Sequence, residues 1–165
     1  MRRIYLIIIL SILVIFIIPY LSFSEHAIKR NEIGRDGRFI AYNNGTLKDT
    51  KTGLMWASKD NGKEINWQDA KRYCENYSAG GYSDWPMPTQ NELESLYDKS
   101  KTTGHGWNNL PIHVTKLIKI TDLGVWASET RDSSVACFHF RGGRKGWSSQ
   151  SGSSGYRALP VRTDN

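Results

Sequence analysis

Gly80-Gly81-Tyr82-Ser83-Asp84-Trp85-Pro86-Met87-Pro88-Thr89-Gln90-Asn91-Glu92-Leu93 packs a turn, a burial-prone tryptophan, two prolines and a helix start into one segment. The glycine pair permits backbone angles that side chains resist. Pro88 holds the residue ahead of it extended. Thr89 and Glu92 have the spacing of a capping box, so a helix is predicted to start at Thr89. Leu93, Leu96 and Tyr97 give that helix its apolar edge. Nothing in the stretch resembles catalytic machinery. It reads as the architectural joint of a small exported domain.

Working outward, Asn66 is placed to cap an earlier helix from Trp67 to about Tyr77, with Asp69 suited to its first turn. Trp67, Ala70, Cys74 and Tyr77 share one face of that helix, with Tyr73 beside them. Upstream, residues 38–42 read as a short strand. Asn43-Asn44-Gly45 is a hairpin turn, residues 46–49 the return, residues 50–53 a second turn and residues 54–56 another strand. Downstream, residues 99–124 read as a long irregular insert with a short apolar run from Val114 to Ile120. Residues 125–128 restart extended structure. Residues 135–140 and 144–148 flank a tight turn at Gly142-Gly143. A Ser/Gly-rich loop follows, and residues 156–162 form one last strand, marked by Pro160 as an edge. This order predicts an α+β domain with two helices, small antiparallel sheets and much irregular chain.

The N-terminus stands apart from the domain. Met1-Arg2-Arg3 is a basic start, residues 4–18 are almost wholly apolar, and Ser22-Phe23-Ser24 offers a cleavage site before Glu25. Residues 1–24 thus read as a signal peptide, with an uncleaved membrane anchor over residues 4–23 as the alternative. Either way the remainder is exported, to the periplasm, cell surface or medium. Residues 25–37 are polar and read as a spacer, leaving 38–162 as the domain. Export permits disulfides. Cys74 and Cys137 are the only cysteines of the 165 residues, so a single pairing is expected, the alternative being two buried thiols.

The formal net charge is +6. Its distribution matters more than its size. Arg131, Arg141, Arg144, Lys145, Arg157 and Arg162 fall in one segment that has Asp132 as its lone acid. Such a concentration points to an anionic partner, against the plainer reading of a solvated basic surface.

Several pieces in order carry a family resemblance. They are Gly45-Thr46-Leu47-Lys48-Asp49-Thr50-Lys51-Thr52-Gly53-Leu54-Met55-Trp56, Trp67-x-x-Ala70, Gly80-Gly81-Tyr82-Ser83-Asp84-Trp85, Pro88-Thr89-x-x-Glu92-Leu93, Trp126-Ala127-Ser128-Glu129-Thr130 and Tyr156-Arg157-x-x-Pro160-Val161-Arg162. Together they resemble the C-terminal domains of the bacterial collagen-like adhesin Lcl. The resemblance implies a fold like the C-type lectins and the formylglycine-generating enzymes. It also implies binding of sulfated polysaccharides at the cell surface. The chain departs from the family where Pro86-Met87 replaces Arg-Leu and where Pro160 replaces a cysteine. The second departure leaves Cys137 as the candidate partner of Cys74. Alternation sets Cys137 opposite Ala136, Phe138 and Phe140, so its strand must be buried on both faces. No collagen-like repeat precedes the domain.

The candidate ligand-binding residues are Arg141, Arg144, Lys145 and Trp147, flanking the Gly142-Gly143 turn, with Arg131 extending the patch. Arginine grips sulfate or carboxylate through paired hydrogen bonds, and tryptophan offers a flat surface to a sugar ring. Arg157 and Arg162 are better suited to hold the fold, through Asp49 or Asp84. Trp56, Trp67, Trp85 and Trp126 are assigned to the core. No catalytic residue is proposed, and no metal or cofactor. The histidines lack metal-ligand spacing, with His139 read as a packed or rim residue and His105 as a loop residue. Trp107-Asn108-Asn109 only loosely resembles a lectin calcium motif. The expected partner is an anionic polysaccharide or an envelope protein, with no nucleic acid, and contact with a membrane only through an uncleaved N-terminus. An envelope structural or protein-interaction role without a sugar ligand is the alternative, and a formylglycine-generating type of enzyme a weaker one.

Overall fold

The computed structural model describes residues 30–105 and 110–164. The leader lies outside these residues, as do His26 and Trp107-Asn108-Asn109. Among the described residues, no helix is long and apolar enough to cross a membrane.

Among the described residues, two helices and eleven strands make a mostly β architecture, α+β in the loose sense. The first sheet has the order β1-β2-β3-β4-β11, from β1 (Glu32–Asp36), β2 (Phe39–Tyr42), β3 (Thr46–Asp49), β4 (Leu54–Ala57) and β11 (Val161–Thr163). The second has the order β10-β7-β8-β9, from β10 (Tyr156–Arg157), β7 (Gly124–Arg131), β8 (Ser134–His139) and β9 (Arg144–Ser149). A small pair joins β5 (Gly104–His105) to β6 (Pro111–Ile112). His105 thus stands in a short strand and not in a loop.

Both helices form where their caps direct. In α1 (Trp67–Glu75) the Asn66 side chain accepts from the Asp69 N–H at 2.9 Å. In α2 (Gln90–Leu96) the capping box is complete, the Thr89 N–H donating to Glu92 Oε2 at 2.7 Å. The Trp85 indole N–H donates to the Tyr82 carbonyl at 3.0 Å, so the joint closes on itself.

Two readings change. Glu32–Asp36, expected within a spacer, is strand β1, hydrogen-bonded antiparallel to β2. Sequence periodicity could not reveal it, because this edge strand keeps most of its side chains exposed. The expected single strand over residues 156–162 is two. Tyr156–Arg157 pairs parallel with β7, and Val161–Thr163 antiparallel with β4. Ala158, Leu159 and Pro160 carry the chain between the sheets, Pro160 having no N–H to continue a ladder.

The core lies in two clusters on either side of the second sheet. Trp56, Leu93, Leu96, Phe138 and Phe140 belong to the larger, along with Ile112, Val114, Ile118 and Ile120 from the irregular insert. Cys74, Trp126, Val135 and Cys137 belong to the smaller. Strand β8 is the wall between them and is buried on both faces. Of the four tryptophans assigned to the core, Trp56, Trp85 and Trp126 are fully buried. Trp67 is half-buried and packs against the smaller cluster from its edge, its indole N–H donating to the Ala127 carbonyl at 2.7 Å.

Candidate functional site

The β8–β9 hairpin is fixed from below. Phe140 is buried; its N–H donates to the Leu123 carbonyl at 2.8 Å and its carbonyl accepts from the His113 N–H at 3.1 Å. This pinning turns Arg141 and Gly142 outward. Gly143 has φ +63°, and a Cβ there would lie 2.6 Å from the Tyr97 ring. Helix α2 braces the strands through Gln90, whose buried amide donates to the Cys137 carbonyl at 3.0 Å and the Gly146 carbonyl at 2.8 Å.

Register divides the hairpin's side chains. Ala136 pairs with Trp147 and Phe138 with Lys145, while Cys137 pairs with Gly146 and His139 with Arg144. Paired residues share a face. Lys145 and Trp147 therefore project from one face of β9 and Arg144 from the other. The hairpin thus divides its cations between two faces.

On the first face, Lys145 Nζ lies 2.7 Å from Glu94 Oε2 and 2.7 Å from Asn91 Oδ1, both on α2. Its charge is already matched. Trp147 is 40% exposed, and the Arg131 guanidinium sits 4.8 Å from its ring centroid. Such a cation–π contact contributes about 0.5–1 kcal/mol at an exposed site. It also sets a positive charge over one face of the ring.

The second face opens on a cleft. Leu123, His139, Arg141, Gly142 and Arg144 line a hollow of about 470 Å³. A second hollow of about 260 Å³ is lined by Glu64, Asp122, Leu123, His139, Ser154, Gly155 and Tyr156. Leu123 and His139 are common to both. Beneath His139 and Tyr156 the side chains are close-packed. Cys137 Sγ lies 3.5 Å from His139 Nε2 and 3.8 Å from Tyr156 Oη. A Cβ on Gly146 would stand 2.9 Å from that sulfur and 3.1 Å from that nitrogen. Burial pushes the Cys137 thiol up and holds His139 below its ordinary range. At neutral pH both groups are therefore uncharged.

The expected Cys74–Cys137 disulfide is absent: both are free, buried thiols. They share the smaller apolar cluster, and burial pushes Cys74 up to about 12. Cys137 instead faces His139 and Tyr156, so the alternative of two buried thiols holds.

The remaining arginines of the basic segment are structural. Arg157 is buried, with Nη2 3.1 Å from Asp122 Oδ2 and Nε donating to Thr121 Oγ1 at 2.8 Å. Arg162 is buried, grips both oxygens of Asp84 at 3.0 Å and lies 3.8 Å above the Tyr82 ring. Asp49, the other partner considered for them, pairs with Arg38 at 3.2 Å. Arg131, Arg141 and Arg144 are exposed, and among the described residues none of the three has a carboxylate partner. Also among the described residues, no three His, Cys, Asp or Glu side chains are grouped to hold a metal ion.

Sequence reasoning missed Leu123, Glu64 and Tyr156 as parts of a site. They come from segments far apart in the chain, and only the partial signal of the Ser/Gly-rich loop pointed there. No curated protein matches the chain. The family profile of the Lcl C-terminal domain matches residues 45–162. The match spans most of the chain and takes in both helices, the hairpin and the two structural arginines, so the protein belongs to the Lcl C-terminal domain family, a family of cell-surface adhesin domains.

Proposed function

We propose that this protein is an exported, lectin-like binding module that holds an acidic or sulfated polysaccharide, without catalysis, on the surface around Arg131, Trp147, Arg141 and Arg144. The observation that carries this reading is the sorting of the arginines. Those that serve the fold are buried against carboxylates; Arg131 on β7 and Arg141 and Arg144 at the hairpin are exposed and unmatched among the described residues. Unmatched guanidinium groups attract sulfate and carboxylate and offer them paired donors. The Arg131–Trp147 pair adds an aromatic platform for a sugar ring beside a cation.

The test is retention of the protein on immobilised heparin and on neutral glycans over a salt series, with calcium and with chelator. Retention on heparin that falls steeply with salt and ignores the chelator supports the reading, because exposed ionic contacts are screened. Absence of retention at low salt overturns it and turns attention to a protein partner in the envelope.

A further inference from the structure

The cleft on the second face differs in character from the Arg131–Trp147 surface. One end is cationic, with Arg141 and Arg144. The middle is formed by Leu123, His139 and the Tyr156 ring, which is stacked on the buried Trp126 at 4.0 Å and so held rigidly. The far end carries acceptors. Glu64 is exposed there and takes the Gly155 N–H at 3.2 Å and the Ser154 hydroxyl at 3.4 Å on one oxygen, Oε1. The larger hollow alone falls in the size range of small-molecule sites, about 300–1,000 Å³.

This gradient does not suit a polyanion threaded along its length. A second negative group would meet the Glu64 carboxylate, and like charges at close range repel. It suits a ligand with one anionic group at one end, an apolar ring face in the middle and neutral hydroxyls at the other end. A carboxylate or sulfate would sit between Arg141 and Arg144, and hydroxyls would donate to Glu64.

Resting on the polysaccharide reading above, we infer that the cleft lined by Arg141, Arg144, His139, Leu123, Tyr156 and Glu64 is a subsite for a single anionic sugar residue at a chain end. It lies on the opposite side of β9 from Trp147, so a polysaccharide makes two separate contacts with the hairpin: its length lies on Arg131 and Trp147, and its terminal uronate or sulfated sugar sits in the cleft between Arg141 and Arg144.

The experiment is amide-resolved NMR titration of the protein with sodium glucuronate, glucose 6-sulfate and glucose. Both anionic sugars are expected to shift the amides of His139, Gly155 and Tyr156, with glucose at least tenfold weaker. R141A/R144A should lose those shifts, and W147A should keep them. Shifts confined to the Arg131–Trp147 region, equal binding of glucose, or undiminished binding by R141A/R144A would each overturn the inference. The two readings fail separately. Heparin retention without these shifts removes the cleft subsite and leaves the polysaccharide surface standing. Sugar shifts without heparin retention remove the polysaccharide surface and leave a small-sugar site.

Discussion

Arg157 and Arg144 stand thirteen positions apart in one basic segment, yet they have opposite roles. Arg157 lies on β10 beneath the crossing between sheets, with a buried carboxylate against it. Arg144 opens β9 at the lip of a cleft, beside Arg141 and, among the described residues, with no carboxylate partner. Arg162 and Arg141 repeat the contrast. A buried guanidinium must be matched, because an uncompensated charge in the interior is costly. An exposed one need not be, and so remains available to a ligand. Charge counted along the chain is thus a poor measure of binding surface. What decides is where register and turns send each side chain.

The largest effect should come from breaking the structural side of this contrast. Arg157→Ala removes the guanidinium from the Asp122 carboxylate, whose side chain is 6% exposed. A loss of about 3 kcal/mol is expected in urea unfolding. A loss near zero would make Arg157 no different from the hairpin arginines. Next is the scaffold of the hairpin itself. Gly143→Ala forces a side chain into positive φ and against Tyr97. It should cost about 2 kcal/mol by the same measurement.

Smaller effects should follow on the binding side. R131A/W147A should lower stability by about 0.5–1 kcal/mol, the size of the cation–π contact it removes. Its heparin affinity should fall about fivefold, near 1 kcal/mol, on removal of an exposed cation and its platform. Unchanged affinity would shift the ligand wholly to Arg141 and Arg144.

The smallest effect concerns pH. The hydrogen bond with Arg162 holds the Asp84 carboxyl below the usual carboxylate range. Its contribution to stability is therefore complete above the unfolded value of about 3.9 and is lost as pH falls through the folded value. Asp84 is largely exposed, so the effect is modest. Asp84→Asn should flatten the acid limb of a stability–pH profile slightly. An unaltered limb would mean that Arg162 is held by packing and by Tyr82 alone.

Local signals in the sequence located much of the fold. Asn66 and Thr89 mark both helix starts because capping is a contact within three residues. The turns at Gly45 and Gly53 adopt the positive φ that glycine permits. Burial of β8 on both faces followed from alternation once Cys137 was given an interior place. What stayed hidden depends on distant chain. Nothing near Glu32–Asp36 says that β2 will accept a partner. The parallel pairing of β10 with β7 joins residues more than thirty apart. The disulfide expectation failed because cysteine count and compartment do not determine whether two sulfurs meet. At the hairpin, the residue types were legible but their division between two faces was not. That division depends on the pairing of His139 with Arg144, fixed by the four-residue turn and by Phe140 anchored in the core.

The central claim is that the exposed arginines of the hairpin bind and do not hold the fold. It is tested most directly by eluting R141A/R144A and the unaltered protein from immobilised heparin along one salt gradient, with thermal unfolding of both recorded in parallel. The account predicts elution of the variant at clearly lower salt with an unchanged unfolding midpoint. Coincident elution, or a lowered midpoint that accounts for the loss, would contradict it.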